Sequence, residues 1–206
     1  MFGKPGRPRE DPFLRRREIY LAVAPHLERR GAKRLTMRQV AHAANISLGG
    51  IYHYFASKRE VVLFGVSPEM FQRSCQDFHQ RYGHLEQADP EWLLADGLDA
   101  MVAMVSFARP ALVASIELGA ATALEAVEAA MDVTLDDLVR VLRVVRADIT
   151  DDELHVLQRA VRRVLLGAML DRSASPAQIH DELRAIVVKS SSPGVREPIG
   201  ADARVS

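Results

Sequence analysis

The sequence predicts an all-α protein, with an N-terminal three-helix helix-turn-helix domain and a C-terminal helical domain. Apolar residues recur at helical spacing through most of the chain, and no convincing run alternates as a strand would. Ser, Thr or Asp precedes most of these segments, where a side-chain oxygen can cap a helix start. Charge is also divided along the chain. Residues 1–64 carry thirteen Lys/Arg against five Asp/Glu, while the remainder carries fourteen against twenty-two, although the whole is neutral. A basic head on an acidic body is suited to meeting a polyanion with the head alone.

Size and composition narrow the class. A chain of 206 residues, 48% hydrophobic, accommodates one domain or two small ones around a real core. No stretch reaches the roughly 18 consecutive apolar residues of a membrane span. The polar, basic Met1 to Arg17 segment does not read as a secretory signal. The lone Cys75 permits no internal disulfide. The expectation is a cytoplasmic protein with no membrane partner.

Residues 1–11, with Pro5, Gly6 and Pro8, read as a flexible basic arm, one that could enter a minor groove. The head then spans 12–64. Its first helix runs from Pro12 to a stop at Gly31 and carries Ile19, Ala22, Val23, His26 and Leu27 inward. Thr36 caps a short second helix with Met37, Val40, Ala41 and Ala44 inward. Ser47 caps a third, ending at Tyr54, and Ser57 opens a fourth with Glu60 completing a capping box. The body spans 65–189. A break at Ser67-Pro68 leads to a helix through about Tyr82. Asp89-Pro90 opens the next helix, which Pro110 is expected to end. Further helices are expected at about 111–119, 121–147, 150–171 and 176–189, with Thr150/Glu153 and Ser175-Pro176 as start signals. Residues 190–206, rich in Ser, Pro and Gly, read as a disordered tail.

The informative stretch is Thr36 to Glu60, two capped helices joined by Ala44-Asn45-Ile46. Asn45 falls where the turn needs a left-handed backbone, which Asn tolerates. Ile46, Ile51 and Phe55 would seat the third helix on the first two. Its other face presents Ser47, Leu48, Gly49, Tyr52 and His53, mostly small at the start and aromatic or polar toward the end. Small residues let a recognition helix approach base edges closely. Tyr52 and His53 can donate to phosphates, as can Thr36 and Arg38 at the start of the second helix. Lys58 adds a cation beside a helix N-terminus, an arrangement that favours phosphate. Gly50 completes the set of expected DNA-binding residues. Adjacent glycines cost roughly 1 kcal/mol each inside a helix, an odd choice for a merely structural element.

These residues resemble the DNA-binding domain of TetR/AcrR-type regulators. Thr36, Val40, Ala41, Ala44, Ser47, Gly49, Ile51, Tyr52, Tyr54, Phe55 and Lys58 fall on that family's pattern, and the resemblance covers roughly residues 15–64. It departs at Asn45, where relatives usually have glycine, and at Leu48 and Gly50, where they often carry polar side chains. The resemblance implies a homodimeric, ligand-responsive repressor that binds double-stranded DNA at a palindromic operator. It also implies a dimer interface made by the last two long helices, about 150–171 and 176–189, and a small-molecule effector inside the body.

The body's residues are compatible with both roles. Val164 to Leu170 is an unbroken apolar run, best explained by burial on two sides. Candidates for lining an effector pocket are Phe71, Cys75, Phe78, Trp92, Met101, Met104, Phe107 and Met131, although aromatic and Met residues at helical spacing serve equally as core. Arg159, Arg162 and Arg163 could meet an anionic ligand or form a solvated face. Scattered histidines and an isolated cysteine suggest no catalytic site, no metal and no cofactor.

Overall fold

The computed structural model describes residues 11–82, 84, 87–119 and 121–189, and among these no strand occurs. The expected arm, except Asp11, and the expected tail lie outside the described residues. Most of the described helices start where a side chain takes up unpaired backbone N–H groups. α1 (Pro12–Arg30) is capped by Asp11, whose carboxylate accepts from Phe13 N–H at 2.9 Å. α2 (Met37–Ala43) begins with a reciprocal capping box between Thr36 and Gln39. α3 (Leu48–Tyr54) begins at Ser47, and α4 (Lys58–Phe64) begins at Ser57. The box expected at α4 is displaced by one residue. Ser57 accepts from Glu60 N–H, but the Glu60 carboxylate takes the N–H of Ala56 at 2.7 Å.

α5 (Pro68–Tyr82) restarts the chain after Ser67, as the Ser-Pro pair predicts. α6 (Pro90–Glu117) overturns one expectation, because Pro110 lies inside an unbroken 28-residue helix. A proline removes one ladder bond and its ring crowds the preceding turn. Here tertiary packing offsets that loss, since Pro110 is itself buried and Tyr20 donates to the nearby Phe107 carbonyl at 2.8 Å. Two bonds from Arg109, to the Ala168 carbonyl at 3.0 Å and the Ala174 carbonyl at 3.1 Å, hold the same turn from the other side. α7 (Ala121–Val145), α8 (Asp151–Leu170) and α9 (Pro176–Lys189) complete the body. Thr150 and Glu153 form the expected capping box, and Ser175 forms another with Gln178.

α6 is the central pillar. It packs against α1 and α4 toward the head and against α7, α8 and α9 in the body. It is long and apolar enough to cross a membrane, but half of that apolar window is buried inside the protein. Buried side chains from Phe13 in α1 to Val187 in α9 form one contiguous core through head and body. A small satellite cluster of Phe78, Leu93 and Val141 lies beside it.

The seam between head and body is built from close approaches. Tyr20 is fully buried, with its ring 4.6 Å from that of Phe107. Gly65, at the end of α4, leaves room for it. A Cβ there would meet the Tyr20 ring and lie 2.6 Å from Ala111 Cβ. At the other end of α1, the Glu117 carboxylate accepts from Ala32 N–H at 2.8 Å beside Gly31, whose φ of +71° suits glycine. Arg172 adds a bond to the Glu28 carbonyl. Replacing Gly65 with Ala suits the local backbone, which is right-handed helical, so the variant isolates overpacking. It should lose about 1–3 kcal/mol, seen as a melting point several degrees lower in a thermal scan.

Candidate nucleic-acid interface

The reading face is made by short helices held from beneath. Asn45 turns the chain between α2 and α3 with φ 53°, the only non-glycine positive φ among the described residues. Its left-handed conformation lets Asn45 N–H reach the His42 carbonyl and Ile46 N–H reach that of Ala41 at 3.0 Å. Ile51 and Phe55 are fully buried beneath α3, and Ile46 is half-buried. Arg16 of α1 spreads its guanidinium over Phe55 and Phe64 at 4.9 and 4.8 Å, a cation–π contact that ties α3 and α4 to α1.

With that side fixed, Ser47, Leu48, Gly49, Tyr52 and His53 all face solvent, with Tyr52 52% exposed. Thr36 and Arg38 are exposed at the start of α2. Gly49 has open space where a side chain would stand. These side chains share a protruding surface that a polyanion can approach.

Two of the expected DNA-contacting residues also make structural contacts within the head. Gly50 is half-buried, and a Cβ there would stand 2.6 Å from Ile46 Cγ2. Its lack of a side chain lets α3 sit against the turn. The Lys58 ammonium donates to the carbonyls of Ala32 and Lys33 at 3.2 and 3.3 Å. It therefore holds the loop between α1 and α2, a contact that the charge pattern alone could not reveal. The same loop takes Glu117 from the body, so Lys58 and Glu117 hold it from two sides.

The body holds a second candidate site. Cys75, Phe78, Met101 and Met104 line an apolar cavity of about 50 Å³ between α5, α6 and α7. Phe71, Met104 and Phe107 line an adjoining, larger cleft of about 310 Å³. Met131 is fully buried in the core and is absent from the linings of both. Trp92 is 66% exposed, with its edge against Tyr82, and so does not enclose a ligand space. Polar groups missed in the sequence include Asp137, which borders the smaller cavity and pairs with His79, and Arg17, which borders the cleft. His79 and Asp137 are 58 residues apart, so no local pattern links them. Of the three arginines in α8, Arg162 pairs with Asp132, while Arg159 and Arg163 are exposed.

Comparison with known proteins agrees with this geometry. Residues 26–63 match the family model of bacterial regulatory proteins, tetR family. No curated protein matches the chain. Among solved structures, a TetR-family transcriptional regulator from Mesorhizobium loti superposes with a TM-score of 0.61 at 14% identity, covering 88% of this chain and 97% of that one. A transcriptional regulator from Pseudomonas aeruginosa gives 0.53 at 20% identity over 88% and 92% of the two chains. NalD from the same organism, the secondary repressor of the MexAB-OprM multidrug efflux pump, gives 0.50 at 19% identity over 87% and 97%. At these identities the likeness is one of fold.

Two measurements check these placements. Gly49→Ala should fold as the parent does, whereas Gly50→Ala should lower the melting point by several degrees, because only the second meets Ile46. Burial, reinforced by the Asp137 carboxylate, pushes the Cys75 thiol up to about 12 and disfavours its thiolate. Iodoacetamide at pH 8 should therefore modify native Cys75 about 100-fold more slowly than the unfolded chain, as followed by mass spectrometry.

Proposed function

We propose that this chain, a member of the tetR family of bacterial regulatory proteins, is a ligand-responsive repressor that binds a palindromic operator as a homodimer. The carrying observation is the exposed face of α3, where Ser47, Gly49, Tyr52 and His53 stand clear above a buried Ile51 and Phe55. A helix supported in this way enters the major groove by its N-terminal end, where Gly49 permits close approach to base edges. Leu48 adds an apolar contact of the kind that suits a thymine methyl. Thr36, Arg38, Tyr52 and His53 make backbone contacts that set register.

The dimer reading has its own support. Val156 and Leu170 on α8 are each 56% exposed, and Val188 on α9 is 46% exposed. Gly167 between them has open space, which favours close packing of a second helix. A two-fold pair joined there carries two α3 helices, which must lie roughly 34–36 Å apart to read successive major grooves. An effector seated in the body shifts the pair away from that spacing, provided it binds the two arrangements with different affinity.

The first test is genome-wide recovery of bound DNA followed by titration of the recovered site. Tyr52→Ala and Arg38→Ala should each weaken binding across sequences, and Arg38→Ala should also flatten the salt dependence by about one unit of slope. A salt-independent affinity, or no enriched palindrome, would contradict the proposed docking. Introducing Arg at Gly167 should convert the dimer to monomer in sedimentation experiments and abolish operator binding, with the helical spectrum retained.

A further inference from the structure

We infer that the effector is an apolar molecule carrying an anionic group, seated in the cleft between α5 and α6 with its charge on Arg17, so that the DNA-binding head forms part of the effector site. This inference rests on the reading that the body takes an effector, and it adds the chemistry of that effector and the route of its signal.

The cleft occupies about 310 Å³, at the lower end of the roughly 300–1,000 Å³ of ligand sites. Its walls are Met70, Phe71, Ala100, Ala103, Met104 and Phe107, an apolar lining that excludes a strongly hydrated ligand. Its charged groups are Arg17, Asp77 and Arg81. Asp77 and Arg81 are one turn apart on α5, and Arg81 also pairs with Asp96 at 3.4 Å. The three lining charges sum to +1, and with Arg81 engaged by Asp96, Arg17 is the lining arginine without a partner of its own among the described residues.

Arg17 differs from its neighbours. Arg15 pairs with Glu18, and Arg16 pairs with Glu69 at 3.5 Å. Arg17 has no hydrogen-bond or ion-pair partner among the described residues and borders the cleft. A guanidinium beside an apolar wall, where the effective dielectric is below that of water, attracts a carboxylate more strongly than one in open solvent. Several arginines at other cavities are committed. Arg109 and Arg172 donate to backbone carbonyls, and Arg143 pairs with Asp151.

Met104 sets the reach of the apolar part. It lines both the cleft and the smaller cavity behind it, as do Ser74 and Ala100. An unbranched, flexible Met can swing aside and join the two spaces. A chain anchored at Arg17 then passes Met104 toward Phe78 and Leu138. The signal has a short path. Arg17 is one turn before Tyr20, the residue that holds α1 to α6, and one residue after Arg16, which holds α3 and α4. An anion that draws Arg17 toward the cleft acts on the helix that carries the reading face.

The test uses the full chain without DNA, titrated by calorimetry with straight-chain carboxylates from hexanoate to dodecanoate and with alcohols and amines of matched length. The expected result is a carboxylate that binds more tightly than its matched alcohol and amine. Arg17→Gln should weaken that carboxylate about ten- to a hundredfold, leave the alcohol unchanged, and be rescued in part by Arg17→Lys. Met104→Trp, which blocks the passage, should weaken longer carboxylates more than hexanoate. The inference is overturned if an amine binds tighter than its carboxylate, if no carboxylate binds, or if Arg17→Gln leaves the carboxylate affinity unchanged while its thermal unfolding matches the parent. Carboxylate binding that leaves operator affinity unaltered would instead sink the repressor reading and leave this site standing.

Discussion

Everything this protein can do with DNA depends on how α1 is held against α6. The buried Tyr20 hydroxyl donates to the Phe107 carbonyl, and its ring lies between Phe64 of the head and Phe107 of the body. Breaking that bond would leave polar groups unsatisfied inside a packed interface, a penalty larger than the net worth of the bond itself. Burial and a nearby Glu28 charge also push the phenol well above its ordinary range, so it stays a donor under all physiological conditions. Through Arg16, α1 carries this constraint to the ring cluster that supports the reading helix.

The seam has the features expected of a joint rather than of a flexible linker. One contiguous core crosses it, so the head cannot tumble independently of the body. Apart from the Tyr20 bond, several of its polar anchors lie near helix ends. Glu117 and Lys58 hold the loop after α1 from opposite sides, and Arg172 ties the α8–α9 connection to the end of α1. Packed interfaces tend to switch between discrete arrangements instead of deforming continuously. A joint of this kind can transmit a small change in the body to the position of α3.

The reading face was largely visible in the sequence because its physics is local. Caps at Thr36 and Ser47, a left-handed Asn45 and the Ile51/Phe55 burial pattern are decided within a dozen residues. The structural contacts of Lys58 and Gly50 were less legible, since they depend on partners the local pattern does not reveal. Lys58 finds its carbonyls 25 and 26 residues away. Gly50 meets the Ile46 side chain, whose position is set by the turn. The pocket residues were least legible. Trp92 and Met131 have the same apolar character as Met104, but which of them faces a cavity depends on how α5 and α7 lean on α6.

By itself, the sequence determined where most helices start, which residue turns the helix-turn-helix and how charge divides along the chain, because capping and backbone preference act over short distances and charge sums without regard to fold. Tertiary structure decided the rest. It carried α6 through Pro110, because burial and bonds from Tyr20 and Arg109 outweighed the loss of one ladder bond. It also turned Lys58 toward a loop and placed Arg17 of the head at a cleft of the body. Contacts between residues far apart in the chain depend on the whole packing arrangement, and no local pattern encodes them.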